Sequence, residues 1–416
     1  MKPDKLKIDV IQDGQKVKNG IIKQYDLEKN DIFYSSSGVA YSNFVGMVQR
    51  GTRILVSIPK HFKSVTEFES TDTKTKIKNI KLIIDTIKTN TLDFQNTTYE
   101  TNKNFSSEFA LNAYFNIYTY FSEHGPYVEE LEEISKKNGK IISWKNTLSR
   151  SNKFLIKGNL VYSPIFYKKK KKHETLVTEC MIFALNYTQN ILGDFMTLPN
   201  TSNIANRGVD LSILGNEFII YELEEILCNT FKDINRQLIK NIIIFLKRVN
   251  SMKEQIPSFK EYNYEIIWEK AVEKYLNIYW SKIKIDCGNN NIKTSNKNIK
   301  FEKKVFSGFN IINHEWKLEP DHFYKDKINK IIYILDSKYY TSINKLNHKQ
   351  FVYHILLSNK FPNYQVFDSL ILPSKGKTGI KDYLDVDKSY LGKGKKHIKI
   401  HIIKLNMIQV LKNYVN

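Results

Sequence analysis

Residues 20–65 carry three short apolar or alternating runs, at 21–25, 38–48 and 52–59, set apart by Asp, Ser and Gly; this pattern predicts strands and turns. The period then changes. Ile77, Ile80, Ile84 and Ile87 recur at spacings of three and four, which predicts a helix over about 74–93. Beyond an Asn/Thr-rich break at 89–102 the chain reads as mostly helical to about Met252. Its clearest helices are 174–192 and 217–249, the second interrupted near Asp233, and the segment 198–210 between them is a loop by composition. No fixed-period repeat is present, which argues against a solenoid.

The last third has a different pattern. A helix over 263–279 gathers Ile266, Ile267, Ala271, Leu276 and Ile278 on one broad face, and a polar Asn/Lys segment follows at 287–298. Strands are predicted over 304–312, 316–324 and 330–340, then a helix over 344–359, then strands over 364–373 and 397–405. This α-β-β-β-α-β-β order describes a mixed α/β unit of about 150 residues, a normal single-domain size. The chain therefore reads as α+β overall, in three regions: a strand-rich one at 1–100, a mainly helical one at 101–255 and the mixed unit at 256–416.

Composition narrows the partner. Hydrophobic residues make up 41% of the 416 positions and aromatics 13%, enough for real cores, so global disorder is excluded. Lys and Arg number 64 against 43 acids, a net charge of +21 that points to a polyanion. Nucleic acid ranks ahead of membrane because no apolar run reaches the roughly 18 residues of a spanning helix. Part of the lysine excess, alongside abundant Asn and Ile, is the signature of an AT-biased genome. Cys180, Cys228 and Cys287 are too far apart for a zinc site or a disulfide framework, and the first fifteen residues lack the apolar core of a secretion signal. A bacterial cytoplasmic protein is expected.

The chemistry concentrates in the last region. Asp321 follows Pro320 at the end of a predicted strand; fifteen positions later comes Asp336, two residues before Lys338. On a strand, residues two apart share a face, so Asp336 and Lys338 point the same way. Two carboxylates can hold Mg²⁺, and an adjacent ammonium can orient a water or contact a scissile phosphate, the combination that phosphodiester hydrolysis needs. An acid-x-Lys triplet alone means little: about five are expected by chance here, and Asp72/Lys74, Glu302/Lys304 and Glu315/Lys317 compete. Only Asp336-Ser337-Lys338 closes a run as apolar as 331–335, the mark of a central buried strand. Glu269, on the preceding helix, is a candidate third metal carboxylate, and Gln350, on the following one, a candidate for binding phosphate or a metal-bound water. His322, His348 and His354 read better as structural or solvent-facing than as general bases.

Pro320-Asp321, Asp336-x-Lys338 and the element order resemble the PD-(D/E)xK nuclease superfamily and, more narrowly, the LlaJI-type (MboII-like) restriction endonucleases. The likeness extends to the glycine-containing strand pair ending in Pro59-Lys60, to the Trp144-Lys145-x-Thr147 segment, to Trp268-Glu269 and to Lys349-Gln350. It implies a type II restriction endonuclease with a PD-(D/E)xK nuclease core, which cuts double-stranded DNA with Mg²⁺, works alongside a matching DNA methyltransferase and dimerises transiently on DNA. In that reading Asp321, Asp336, Lys338, Glu269 and Gln350 are catalytic, with Asp321, Asp336 and Glu269 on the metal. The acid before the lysine is Asp where Glu is commoner, a reach shorter by one methylene.

Sequence recognition then falls to the first two regions. Arg50 and Arg53, with Gln49, sit near a predicted turn and have the bidentate geometry for base edges, and Lys60 joins them as a DNA-binding candidate. Lys168, Lys169, Lys170, Lys171 and Lys172 form a block too polar for a core; it is expected on an exposed loop or helix start, in contact with phosphates. The Gly/Lys segment 391–397 is a second basic stretch but has no P-loop spacing. Two other readings compete: an McrC-like nuclease subunit that needs a separate NTPase, and a DNA-binding protein without catalysis. A methyltransferase has no support, since the glycine-rich cofactor loop and the catalytic Asn/Asp-Pro-Pro-Tyr segment are both missing.

Overall fold

The structure is a computed structural model that describes residues 7–51, 53–95, 105–107, 109–137, 139–251, 258–286, 299–392 and 397–416. The polar segment 287–298 with Cys287, and residues 393–396 of the Gly/Lys segment, lie outside the described residues. The fold is α+β. Two compact units divide the chain: Met1–Ser107, Asp194–Thr197 and Gln255–Asn416 form the first, Glu108–Gly193 and Leu198–Glu254 the second.

The first unit holds two five-stranded sheets. One joins β1 (Lys7–Gln12), β2 (Val45–Arg50), β3 (Arg53–Ile58), β4 (Phe105–Ser107) and β5 (Phe259–Glu261) in the order β1-β3-β2-β5-β4. The β2–β3 hairpin is antiparallel, β1 runs parallel to β3, and β5 is antiparallel to both β2 and β4. Apolar residues of β1, β2 and β3, among them Ile11, Val48 and Leu55, bury against Tyr25 and Phe44. The run at 21–25, expected as a strand, is instead part of helix Asn19–Tyr25. Ile21, Ile22 and Tyr25 pack on that core from one helical face, and a short apolar run cannot distinguish the two periods.

The other sheet is mixed, β6 (His322–Asp326), β7 (Ile331–Ser337), β8 (Gln365–Ser374), β9 (Gly379–Asp385) and β10 (Lys399–Asn406), in the order β6-β7-β8-β10-β9. β7, β8 and β10 are parallel to one another, and the edge strands β6 and β9 are antiparallel to their neighbours. Helices cover both faces. Trp280 of α2 (Tyr264–Asp286) stands edge-on to Tyr333 at 5.4 Å between ring centroids, while Tyr353 and Leu357 of α3 (His348–Lys360) pack on Ile332 and Ile334. The central strand β7 is buried along its whole length, as its unbroken apolar run requires. Two further helices, α1 (Thr73–Gln95) and α4 (Met407–Val415), pack on each other and on α2.

Residues 304–312, expected as a strand, make only an isolated bridge between Phe306 and Leu318. Gly308 turns the chain at φ +74°, Asn310 accepts the N–H groups of Ile312 and Asn313, and Ile311 and Ile312 are exposed. The backbone there satisfies itself locally instead of joining a ladder.

In the second unit, helices Leu111–His124, Leu176–Leu192 and Asp233–Ser251 form the core, Phe109 meeting Phe245 edge-on at 5.5 Å. Between the first two lies a strand-rich stretch at 129–173 within the region read as mainly helical. The five lysines are in it. They form a strand, Tyr167–His173, rather than a loop or helix start, paired antiparallel with Glu129–Ser135. Among the described residues, no helix is long and apolar enough to cross a membrane.

Candidate active site

Asp336 is placed by the parallel ladder of β7 on β8, which continues as the Lys338 N–H donates to the Ile371 carbonyl at 2.9 Å. The β6–β7 hairpin places Asp321. Asp326 closes its turn by accepting the N–H groups of Ile328 and Asn329, both at 3.0 Å, and the register pairs His322 with Leu335. One step further along that register, Asp321 lies opposite Asp336. Its carboxylate also accepts the Ser337 N–H at 2.9 Å.

The two acids are enclosed, Asp336 fully and Asp321 nearly so. Burial is the main cause that pushes the Asp321 pKa up, reinforced by the charges of Asp336 and Glu269 and opposed by Lys338. Neither Asp336 oxygen has a hydrogen-bond partner among the described residues; two ammonium groups face them instead. Lys338 is in ion-pair contact with Oδ2, and Lys349 Nζ lies 3.6 Å from Oδ1. For Lys349, burial opposes the charged form, but Asp336, Tyr353 and Asp321 outweigh it and the pKa rises. Glu269 on α2 comes close enough to respond to the same group: burial raises its pKa, Lys303 and Lys338 lower it, and Asp336 and Glu265 raise it.

Gln350 sits one layer below. It is fully buried, with Nε2 donating to the Ile334 carbonyl at 3.2 Å and to Asp368 Oδ1, while its Oε1 has no hydrogen-bond partner among the described residues. Its backbone N–H is held by the Asn347 cap. Asp368, on β8, also meets His354 Nδ1 at 3.1 Å, and burial pushes its pKa up to about 6 against those two partners. His322 pairs with Ser337 Oγ at 2.7 Å, and burial drives its pKa down to about 3. A ring held neutral in this way fits the structural role expected for it.

The structure thus gathers Asp321, Asp336, Lys338 and Glu269 in one group and ties Gln350 to the strand beneath. No local pattern marks Lys349 as a charge on Asp336, or Asp368 and His354 as the support under Gln350; these depend on how α3 lies on the sheet. Lys60 is close by, its Nζ 4.7 Å above the ring of Tyr339, the neighbour of Lys338. Arg50 and Arg53 flank the β2–β3 turn; Arg53 pairs with Asp9 at 4.0 Å and Arg50 donates to the Gln49 carbonyl. Gln49 is buried, its amide turned onto the Gly51 carbonyl. In the lysine strand, Lys168, Lys170 and Lys171 pair with Glu132, Glu130 and Glu133 at 3.1, 2.9 and 3.6 Å.

Comparison with known proteins gives the family. The model of the LlaJI restriction endonuclease matches residues 44–351, from β2 through the carboxylate pair to the start of α3. The chain belongs to the LlaJI restriction endonuclease family. The match covers most of the chain and takes in Asp321, Asp336, Lys338 and Glu269 together, so a nuclease role follows for this LlaJI family member. No curated protein matches the chain. Among solved structures, it is similar to a chain of a half-complex from a tetradecameric assembly of Thermococcus gammatolerans McrB AAA+ hexamers with bound McrC, at 10% identity, with 98% of each chain covered and a TM-score of 0.39.

Among the described residues, no group of three or more His, Cys, Asp or Glu is arranged to hold a metal ion. Mg²⁺ does not need one, because it is commonly held by one or two carboxylates, waters and substrate phosphates. The opposed pair Asp321 and Asp336, with no hydrogen-bond partner for either Asp336 oxygen among the described residues, fits that requirement.

Proposed function

We propose that this chain is a type II restriction endonuclease that reads a short duplex sequence and hydrolyses DNA phosphodiester bonds with Mg²⁺, in the cytoplasm and alongside a methyltransferase that protects the host's own sites. The observation that carries the reading is the opposition of Asp321 and Asp336 across the β6–β7 hairpin, with Lys338 on Asp336. Asp321 and Asp336 would hold the metal, which when bound neutralises charge on the phosphate and lowers the pKa of a bound water. Lys338 orients the attacking water and, through its ammonium, stabilises charge on the phosphate oxygens. Lys349 supplies a second positive charge on the α3 side. Glu269, on α2 and within the field of Asp336 and Lys338, would be the third carboxylate beside the pair. Gln350, with both donor hydrogens committed, positions β7 from beneath. With one such centre per chain, cutting both strands calls for a second copy on the DNA or for two successive nicks.

The test is cleavage of unmodified plasmid by the purified chain with Mg²⁺ and no nucleotide, followed by sequencing of the ends. Defined ends are expected, with no product in EDTA. Asp336→Ala and Lys338→Ala should each lose at least about 100-fold in rate while gel-shift affinity for the same DNA survives. Undiminished cleavage by either variant overturns the reading.

A further inference from the structure

A cavity of about 410 Å³ opens beside Lys60, between the turn at Asp13 and the hairpin of strands Ile32–Tyr34 and Ala40–Ser42. Its walls combine two kinds of chemistry. Phe33 and Tyr41 are direct cross-strand partners, so their rings share one face of the hairpin, and Phe33 is 61% exposed with its ring free to be covered. Asp13 and Lys60, also in the lining, present an acceptor and a donor 3.7 Å apart, and Asn43 joins them. Burial raises the Asp13 pKa, with Lys60 and a Tyr339 hydrogen bond opposing it.

We propose that this cavity receives one unpaired nucleobase of the DNA substrate. The inference rests on the nuclease reading above for the identity of the polymer, and on three observations of its own. The volume suits a single nucleotide rather than a duplex. An aromatic face beside paired donor and acceptor groups is what a base needs once it has left its stack, because every base has a π-face and an edge with both donors and acceptors. The position also fits: the Lys60 N–H donates to the Tyr339 hydroxyl at 2.8 Å, so the cavity wall is fastened to the residue next to Lys338. A base held there is thereby tied, through Lys60 and Tyr339, to the segment that carries Lys338.

The full chain is tested in EDTA, where no chemistry occurs, by fluorescence anisotropy. The probes are a labelled duplex with one bulged thymine, the same duplex with an abasic tetrahydrofuran in the bulge, and single-stranded 12-mers with thymine or with tetrahydrofuran at every position. The base-bearing probe of at least one pair should bind about tenfold more tightly than its abasic partner, the size of one aromatic–base stack. Preference in the duplex pair identifies an extruded base, and preference in the single-strand pair alone a base of a displaced strand. Phe33→Ala, at an exposed position that does not support the fold, should remove the preference and leave abasic binding unchanged. Equal affinity for base-bearing and abasic probes in both pairs, or an unaltered preference in Phe33→Ala, overturns the proposal. Plasmid cleavage by the unaltered protein, run in parallel with Mg²⁺, tests the nuclease reading separately.

Discussion

Glu261 is almost wholly enclosed, with Oε1 accepting the Asn263 N–H at 3.1 Å and Oε2 without a hydrogen-bond partner among the described residues. Burial, against a smaller pull from that hydrogen bond and Lys270, pushes its pKa up to about 7. An acid whose folded pKa lies above its unfolded value keeps its proton longer in the native state. Stability therefore falls as pH rises from about 4.5 to about 7 and levels off above that. Glu261→Gln should lack this fall, so the difference between the two proteins in urea melts should move by on the order of 2–3 kcal/mol between pH 4.5 and 8. An unchanging difference would rule out a buried titrating acid. The same residue-level physics decides what the sequence could disclose of the site. Asp336 and Lys338 were legible because strand alternation is local and the apolar run before them is long. Asp321 was legible because a hairpin brings near neighbours together. Lys349, Asp368 and the Lys60–Tyr339 contact, which spans 279 residues, depend on packing that no local period encodes.

Among elements, β5 shows how tightly the first sheet is built. Gly46 on β2 has φ +143°, and a Cβ there would lie 1.9 Å from the Phe259 carbonyl oxygen of β5. No side chain fits without moving a backbone. Gly46→Ala should therefore destabilise the protein by about 3 kcal/mol or more in urea melts, and a cost below about 1 kcal/mol would mean that β5 is not held where it is. Because β5 leads into α2, the same change should also slow cleavage, through the placement of Glu269. The β2–β3 hairpin was legible from alternating residues around a turn. The lysine strand was not, because five lysines have no strand tendency of their own and acquire it from glutamates about 40 residues away.

For the molecule as a whole, the net charge of +21 indicated a polyanion without locating its seat. The densest basic run is largely answered by Glu129, Glu130, Glu132 and Glu133 on the strand beside it. Exposed pairs of this kind contribute little stability, but they lower the local potential. Replacing those four glutamates with glutamine should tighten non-specific duplex binding and steepen its decline with salt, since more lysine charge becomes available to displace counterions. An unchanged salt slope would show that this strand takes no part in holding DNA.

The first unit is assembled from segments far apart in the chain, and this bears on the timing of synthesis. Met47 waits for Phe259, roughly 200 residues later, which at ordinary translation rates is about 10–40 seconds. Throughout that interval the β2–β3 hairpin has one edge unpaired, while the intervening unit can already close on itself. A ribosome that stalls before Asp321 leaves a chain with the cavity hairpin and the lysine strand but without either aspartate. Chains stopped before that point lack the carboxylate pair, and chaperones that shield strand edges should matter most for this chain during its middle third.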